Sequence, residues 1–254
     1  MVQASKFPYN AVHFSTAGFS LLKSLPTGQL ICATYKNASL AMLQRECGVF
    51  FDTPAEQTVV VLNFGAPLLV PQALYQPPAN PYLRLQYNLS DSDEVFQDDL
   101  GEYKALYAVP LSKTLPLRTC LASPKFQHTA TRLYRYLSQY RTELPNKLLL
   151  HFSGARMGFM LMKEQKLFIV NEFPFTCQED VLYHVLNILQ QQQARRDGSV
   201  VLLSGAGAEV PKLAKLLSRY LPNVQLAGHD LDCTVTNLKS QKEPLHTCLQ
   251  LIEF

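Results

Sequence analysis

Two kinds of apolar pattern alternate along this chain. Runs without polar alternation, which read as strands covered on both faces, occupy Thr58 to Phe64 and Ser199 to Leu203. A looser pattern covers Ala11 to Lys23, followed by the turn Leu25-Pro26-Thr27-Gly28 and the run Gln29 to Thr34, and this predicts a hairpin. In the second half, Lys147 to Phe152, Gly158 to Lys163 and Lys166 to Phe173 form a predicted meander whose last two strands are joined through Glu164-Gln165. Lys104 to Val109 and Thr119 to Ala122 are further strand candidates, and Asn223 to Ala227 returns as one more.

Helical spacing appears between these runs. Leu40, Ala41 and Leu43 give it to Asn37 to Cys47, whereas the prolines from Pro67 to Pro81 limit Gln72 to Tyr75 to a short turn. Asn88 to Leu100 carries Asp91, Asp93, Glu94, Asp98 and Asp99, read as the solvated first turn of a helix because acids suit its positive end. Thr129 to Leu144 places Leu133, Tyr136, Leu137 and Tyr140 on one face and Arg132, Arg135 and Gln139 on a solvated face, with Pro145 closing the helix. Thr176 and Glu179 predict a capping box. The stripe Val181, Leu182, Val185, Leu186 and Leu189 follows, and Arg195, Arg196 and Gly198 read as a basic last turn and a glycine stop. Pro211 is placed at a first helical position, ahead of Leu213, Leu216, Leu217 and Tyr220.

The pattern also repeats. His13-Phe14-Ser15-Thr16-Ala17-Gly18-Phe19 is echoed by His151-Phe152-Ser153-Gly154-Ala155-Arg156-Met157-Gly158-Phe159, each continuing into a second apolar strand, which predicts a duplicated fold. The boundary is expected between Arg141 and Asn146, giving an N-terminal lobe of residues 1–144 and a C-terminal lobe of residues 145–254.

Composition changes this picture little. A length of 254 residues suits one large domain or two of ordinary size, and 47% hydrophobic content supplies a substantial core. Charged residues make up 17% and the formal charge is +3 without like-charge runs, so nucleic-acid binding is not expected. No apolar run approaches the length of about 20 residues that spans a membrane, so no membrane insertion is expected. The first residues lack a signal-peptide pattern, and a cytoplasmic protein is expected. Cys32, Cys47, Cys120, Cys177, Cys233 and Cys248 form no ligand-spaced pair and read as small core hydrophobes.

One segment has a direct physical use: a strand running into Ser204-Gly205-Ala206-Gly207-Ala208 and a helix, where unpaired N–H groups can face an anion. With the hairpin-first half and the meander, helix, strand and helix of the second half, this order resembles the actin-like ATPase fold, and within it a bacterial family of uncharacterised function near the cell-division and pilus-assembly relatives. The resemblance runs from about Asn10 to Phe254. It implies an α/β fold: a duplicated, ribonuclease H-like two-lobe architecture of mixed sheets flanked by helices. It also implies that nucleotide phosphates and metal meet the hairpin loops at Ser15, Thr16, Gly18, Ser153 and Gly154, and that adenosine meets Gly205, Ala206 and Gly207.

In active members of that fold an aspartate opens each hairpin loop and holds the hydrated metal. Here those places fall to His13 or Ser15 and to His151 or Ser153. No catalytic residue and no metal ligand is therefore assigned, and no cofactor is expected, with magnesium ATP the candidate that the resemblance names. If the duplication holds, His13 and His151 face each other across the cleft, with their rings packed among neighbouring aromatics. Three functions are weighed. The first is a catalytically silent interaction or scaffold module, with a protein partner or a second copy; the second is a nucleotide-binding switch with little hydrolysis. The third is a sugar or metabolite kinase that would need Asp230 or Asp232 as its base.

Overall fold

The computed structural model describes residues 4, 8–15, 18–25, 27–51, 57–205 and 209–254. The chain opens with β1 (Asn10–Ser15), β2 (Gly18–Ser24) and β3 (Leu30–Lys36), then α1 (Leu40–Phe50), β4 (Thr58–Asn63), β5 (Leu68–Pro71) and α2 (Asn80–Gln86). It continues through β6 (Asp93–Leu100), β7 (Tyr103–Pro110), α3 (Leu111–Cys120), β8 (Lys125–His128) and α4 (Thr129–Gln139). The second half holds β9 (Asn146–Ser153), β10 (Arg156–Lys163), β11 (Lys166–Pro174), α5 (Gln178–Gln191), β12 (Ser199–Gly205) and α6 (Glu209–Leu217). Short strands β13 (Val224–Leu226), β14 (Val235–Asn237) and β15 (Lys242–Glu243) precede two 3-10 turns, Leu245–Thr247 and Leu249–Leu251.

Among the described residues the strands form three sheets. The first runs β15-β14-β3-β2-β1-β4-β8, the second β11-β10-β9-β12-β13, and a small antiparallel sheet runs β5-β7-β6. The order β3-β2-β1-β4-β8 matches β11-β10-β9-β12-β13 strand for strand, with antiparallel pairs first and parallel pairs last in both. The parallel strands are covered on both faces, as their uniform apolar runs require: every residue of β12 is buried. β14 and β15 leave the second half and pair into the first sheet beside β3.

The layers follow from these faces. α1 and α3 cover one side of the first sheet, and α5 and α6 cover the far side of the second. Between the sheets, α4 and the turns near residues 245–252 fill a shared core that includes Leu22 and Leu30 of one sheet and Leu149, Met160 and Leu202 of the other. Among the described residues no helix is long and apolar enough to cross a membrane.

Several local expectations change. The acidic segment forms a strand: β6 pairs with β7 around a turn at Gly101, φ 62°, so Phe96, Asp98 and Leu100 alternate with the more exposed Gln97 and Asp99. Asp98, raised by burial, accepts hydrogen bonds from His128 N at 2.7 Å and Thr131 Oγ1 at 2.6 Å, and so serves the start of α4 from outside that helix. Thr119 to Ala122 is the end of α3 and its exit, not a strand. α4 stops at Gln139 because the buried Lys147 ammonium takes the carbonyls of Leu137 at 3.2 Å and Tyr140 at 2.7 Å. Arg132 is not solvated; it is fully buried and paired with Glu253, which also holds Arg135 at 2.7 Å. A carboxylate 121 residues away is invisible to helical periodicity.

The second half corrects smaller details. The capping pair on α5 is Cys177 with Asp180, one residue later than expected, and Asp180 accepts from the backbone N–H of both Thr176 and Cys177. α5 ends at Gln191, so Arg195, Arg196 and Gly198 lie beyond it in the approach to β12. Pro211 is the third residue of α6 rather than the first, and Tyr220 is exposed past its end. Glu164 and Gln165 have φ values of 48° and 67°, the positive pair that a two-residue hairpin turn needs. Cys32, Cys47 and Cys248 are buried, as expected of core residues, while Cys177 is exposed.

Candidate functional site

The carboxyl ends of the parallel pairs β1/β4 and β9/β12 point into the space between the sheets, the usual location for a ligand in an open α/β sheet. A cavity of about 300 Å³ lies there. Ser15, Gly18, Ser153 and Gly154 line it together with His13, His151 and Gln250. Gly205 sits one strand position from the cavity wall, opposite Phe152. Thr16, Ala206 and Gly207, the other expected contacts, lie outside the described residues.

The two His-Phe-Ser segments occupy equivalent positions, each at the end of the strand followed by an antiparallel partner. Register separates the rest of the match. Gly18 pairs with Ser15, but the residue paired with Ser153 is Arg156, and Gly158 pairs with His151 further along β10. The Gly-Phe letters therefore coincide in sequence and not in space.

His13 and His151 meet edge to face, with ring centroids 6.3 Å apart. They pack against one another within the strands. Burial, and then the neighbouring His151 and His128, push His13 down to about 3, and burial alone pushes His151 and His128 to about 4, so all three rings are neutral near pH 7. His151 Nδ1 lies 3.0 Å from Ser204 Oγ. His128 Nε2 lies 2.9 Å from the Gly65 carbonyl, and its Nδ1 accepts from Ala130 N. Ser153 Oγ donates to Ser15 Oγ at 3.5 Å, so the hairpin ends touch.

The glycines have internal reasons for being glycine. A Cβ on Gly18, φ 129°, would stand 2.2 Å from the Tyr35 carbonyl oxygen. One on Gly205, φ 121°, would stand 2.2 Å from the Phe152 carbonyl oxygen. Close backbone packing inside each sheet demands both. Gly154, φ 60°, makes the tight turn from β9 to β10.

Glu209 is the carboxylate among the described lining residues, and it is engaged at the surface by Lys212 at 2.8 Å and Gln178 at 3.3 Å. Magnesium is usually anchored through one or two carboxylates, and the hairpin ends offer neutral hydroxyls and neutral imidazoles instead. The residues present do not fit a magnesium–phosphate centre, and among the described residues no three His, Cys, Asp or Glu side chains gather as a metal set. Asp230 accepts from Tyr136 at 2.8 Å, and neither Asp230 nor Asp232 lines the cleft cavity. Gln250 went unnoticed in sequence because it arrives from a 3-10 turn near the chain's end, with no motif to mark it.

Solved structures place the architecture. A protein of unknown function with an actin-like ATPase fold from Bacteroides thetaiotaomicron superposes with a TM-score of 0.74 at 15% identity, covering 97% of this chain and 96% of its own. The PilM–PilN type IV pilus biogenesis complex gives a TM-score of 0.58 at 14% identity over 88% of this chain and 89% of that one. The AlfA filament from a B. subtilis plasmid gives 0.51 at 6% identity over 96% of each chain. At such identities the likeness shows the fold alone, and that fold is the actin-like ATPase fold. No curated protein matches the chain. The profile of one family aligns with residues 50–224, most of the length, and the chain belongs to that family, described as a protein of unknown function (DUF3822).

Proposed function

We propose that this protein is a catalytically silent member of the actin-like fold, working as an interaction or scaffold module for a protein partner or a second copy. The contact of Ser15 with Ser153 above the paired rings of His13 and His151 carries the reading. With hydroxyls at the hairpin ends, no carboxylate stands there to anchor a cation, and the neutral rings bring no charge to hold a phosphate. The shared core between the sheets supports a fixed shape, since closure of the lobes would have to break it. Leu74 and Leu85, exposed on the segment that follows Pro67, offer apolar contact area.

In this reading the lobes 1–144 and 145–254 descend from one duplicated unit, as the matching strand order suggests, with β14 and β15 crossing back to tie the second lobe to the first. The bacterial, cytoplasmic setting is part of the same proposal. A nucleotide-responsive switch is the alternative, favoured by the cavity beside α6. Thermal unfolding with and without millimolar magnesium ATP separates the two. The expected result is an unchanged midpoint; a ligand present at 100 times its dissociation constant would add about 2.7 kcal/mol, and such a rise would replace this reading with the switch.

A further inference from the structure

Four of the six cysteines meet in two pairs that no spacing in the sequence marks: Cys47 of α1 with Cys120 at the end of α3, and Cys32 of β3 with Cys248 between the last two turns. All four are free thiols. α1 and α3 lie on the same side of the first sheet and share one apolar cluster, to which both Cys47 and Cys120 belong. Gln44 Nε2 donates to the Pro116 carbonyl at 3.5 Å, and one turn further along both helices the same line of contact brings Cys47 to Cys120. Cys47 donates its S–H to Cys120 Sγ, which in its thiol form donates to the Leu117 carbonyl at 3.6 Å.

The two pairs differ in reach. Cys32 and Cys248 are both buried, which shields them from reagents in solution. Cys120 is half-buried, and Cys47, 2% exposed, lies behind it. The bond from Cys47 also holds the Cys120 thiol below the ordinary range of a cysteine, so Cys120 ionises before its partner, whose own thiol that bond and burial push up. A reachable, readily ionised thiol resting on a second, buried one is the arrangement of an attacking and a resolving cysteine.

We propose that Cys47 and Cys120 form a reversible disulfide site that is oxidised by a low-molecular-weight disulfide, R–S–S–R. The Cys120 thiolate attacks one sulfur of the reagent, forming a mixed disulfide and releasing RS⁻. Cys47 then attacks Cys120 Sγ, its proton passing to solvent, and expels the second RS⁻. Two protein thiols lose two electrons and two protons, and the reagent leaves as two molecules of R–SH. The bridge closes a loop of chain that holds β4, α2 and the whole small sheet β5-β7-β6, tying together the helices before and after it. Neither cysteine lines the cleft cavity, so this chemistry is independent of whether nucleotide binds there.

Incubation of the native protein with millimolar oxidised glutathione, followed by acid quenching and peptide mapping by mass spectrometry, tests the site. A disulfide between Cys47 and Cys120 is expected, reversed by excess reduced glutathione, while Cys32 and Cys248 stay reduced. The exposed Cys177 is expected to take up glutathione and keep it, which shows that the reagent was active. In Cys47→Ala the reaction is expected to stop one step earlier, with glutathione trapped on Cys120, and Cys47→Ser, closer in size to the native residue, is expected to give the same product. Cys47 and Cys120 left reduced while Cys177 carries glutathione, or a bridge that forms only in urea, would overturn the inference. Glutathione that remains on Cys120 in the parent protein would overturn it too, because the second thiol would then be out of reach.

Discussion

The two hairpin ends carry the same His-Phe-Ser sequence and are held in different ways. In the second sheet, β12 places Ser204 beside His151, and the hydroxyl bonds the ring. In the first sheet, the corresponding place on β4 is Val61, which offers His13 no such bond. His13 also feels both of the other buried imidazoles, and its ionisation is depressed the furthest. Identical short motifs can thus become one anchored and one unanchored group, and the neighbouring parallel strand decides which.

The most disruptive way to probe that comparison is at the glycines behind it. Gly18→Val and Gly205→Val each force a side chain into backbone at positive φ, and each is expected to cost more than about 3 kcal/mol in urea unfolding. Gly154→Asn, in the hairpin turn at φ 60°, is expected to cost about 1 kcal/mol or less, since asparagine tolerates that conformation. Equal losses at all three sites would remove the distinction between packing glycines and turn glycines. The contrast also means that bulk at Gly205 cannot serve as a probe of nucleotide contact, because it would break the sheet first.

A medium effect is expected from acid. Burial holds the folded-state values of His13, His128 and His151 near 3 to 4, below the unfolded value near 6.5. The unfolded chain therefore takes up more protons as the pH falls. The stability tied to these rings is full above about pH 7 and is lost progressively from about 6.5 down towards 4. Each histidine is expected to contribute a loss on the order of 2 kcal/mol between pH 7 and pH 5. His13→Gln should remove about one third of that slope in urea melts at the two pH values. A variant with the slope of the parent would show that His13 is solvated in the native state.

A single lost hydrogen bond sharpens the comparison most. Ser204→Ala removes the bond to His151 Nδ1, making the second hairpin end resemble the first, at an expected cost of about 1 to 2 kcal/mol. The same change should free the His151 ring, seen as broadening of its nitrogen signals, while the His13 signals keep their width. Broadening of both rings would mean that the pair is oriented as a unit through its edge-to-face contact rather than by the serine.

Much of the architecture was readable in residue patterns because periodicity is local. The uniform runs of β4 and β12, the meander of β9 to β11 and the short turn near Gln72 all depend on neighbours within a few residues. The acidic stretch misled because helix N-terminal preference and strand alternation are both compatible with Asp93 to Leu100, and only pairing with β7 selects the strand. Arg132 misled for the opposite reason: its spacing put it on a solvated face, but the tail brings Glu253 over that face.

The amino-acid order on its own determined the kinds of element, their succession, the repeated His-Phe-Ser and the lack of carboxylates in residues 13–19 and 151–159. Tertiary structure alone decided that His13 and His151 touch, that Ser15 meets Ser153, that β14 and β15 join the first sheet, and that Gln250 enters the cleft. The physical reason is range. Propensity and periodicity act over a turn or two of chain, whereas these contacts join residues more than one hundred positions apart and exist only once the buried faces of two sheets and α4 have packed on one core.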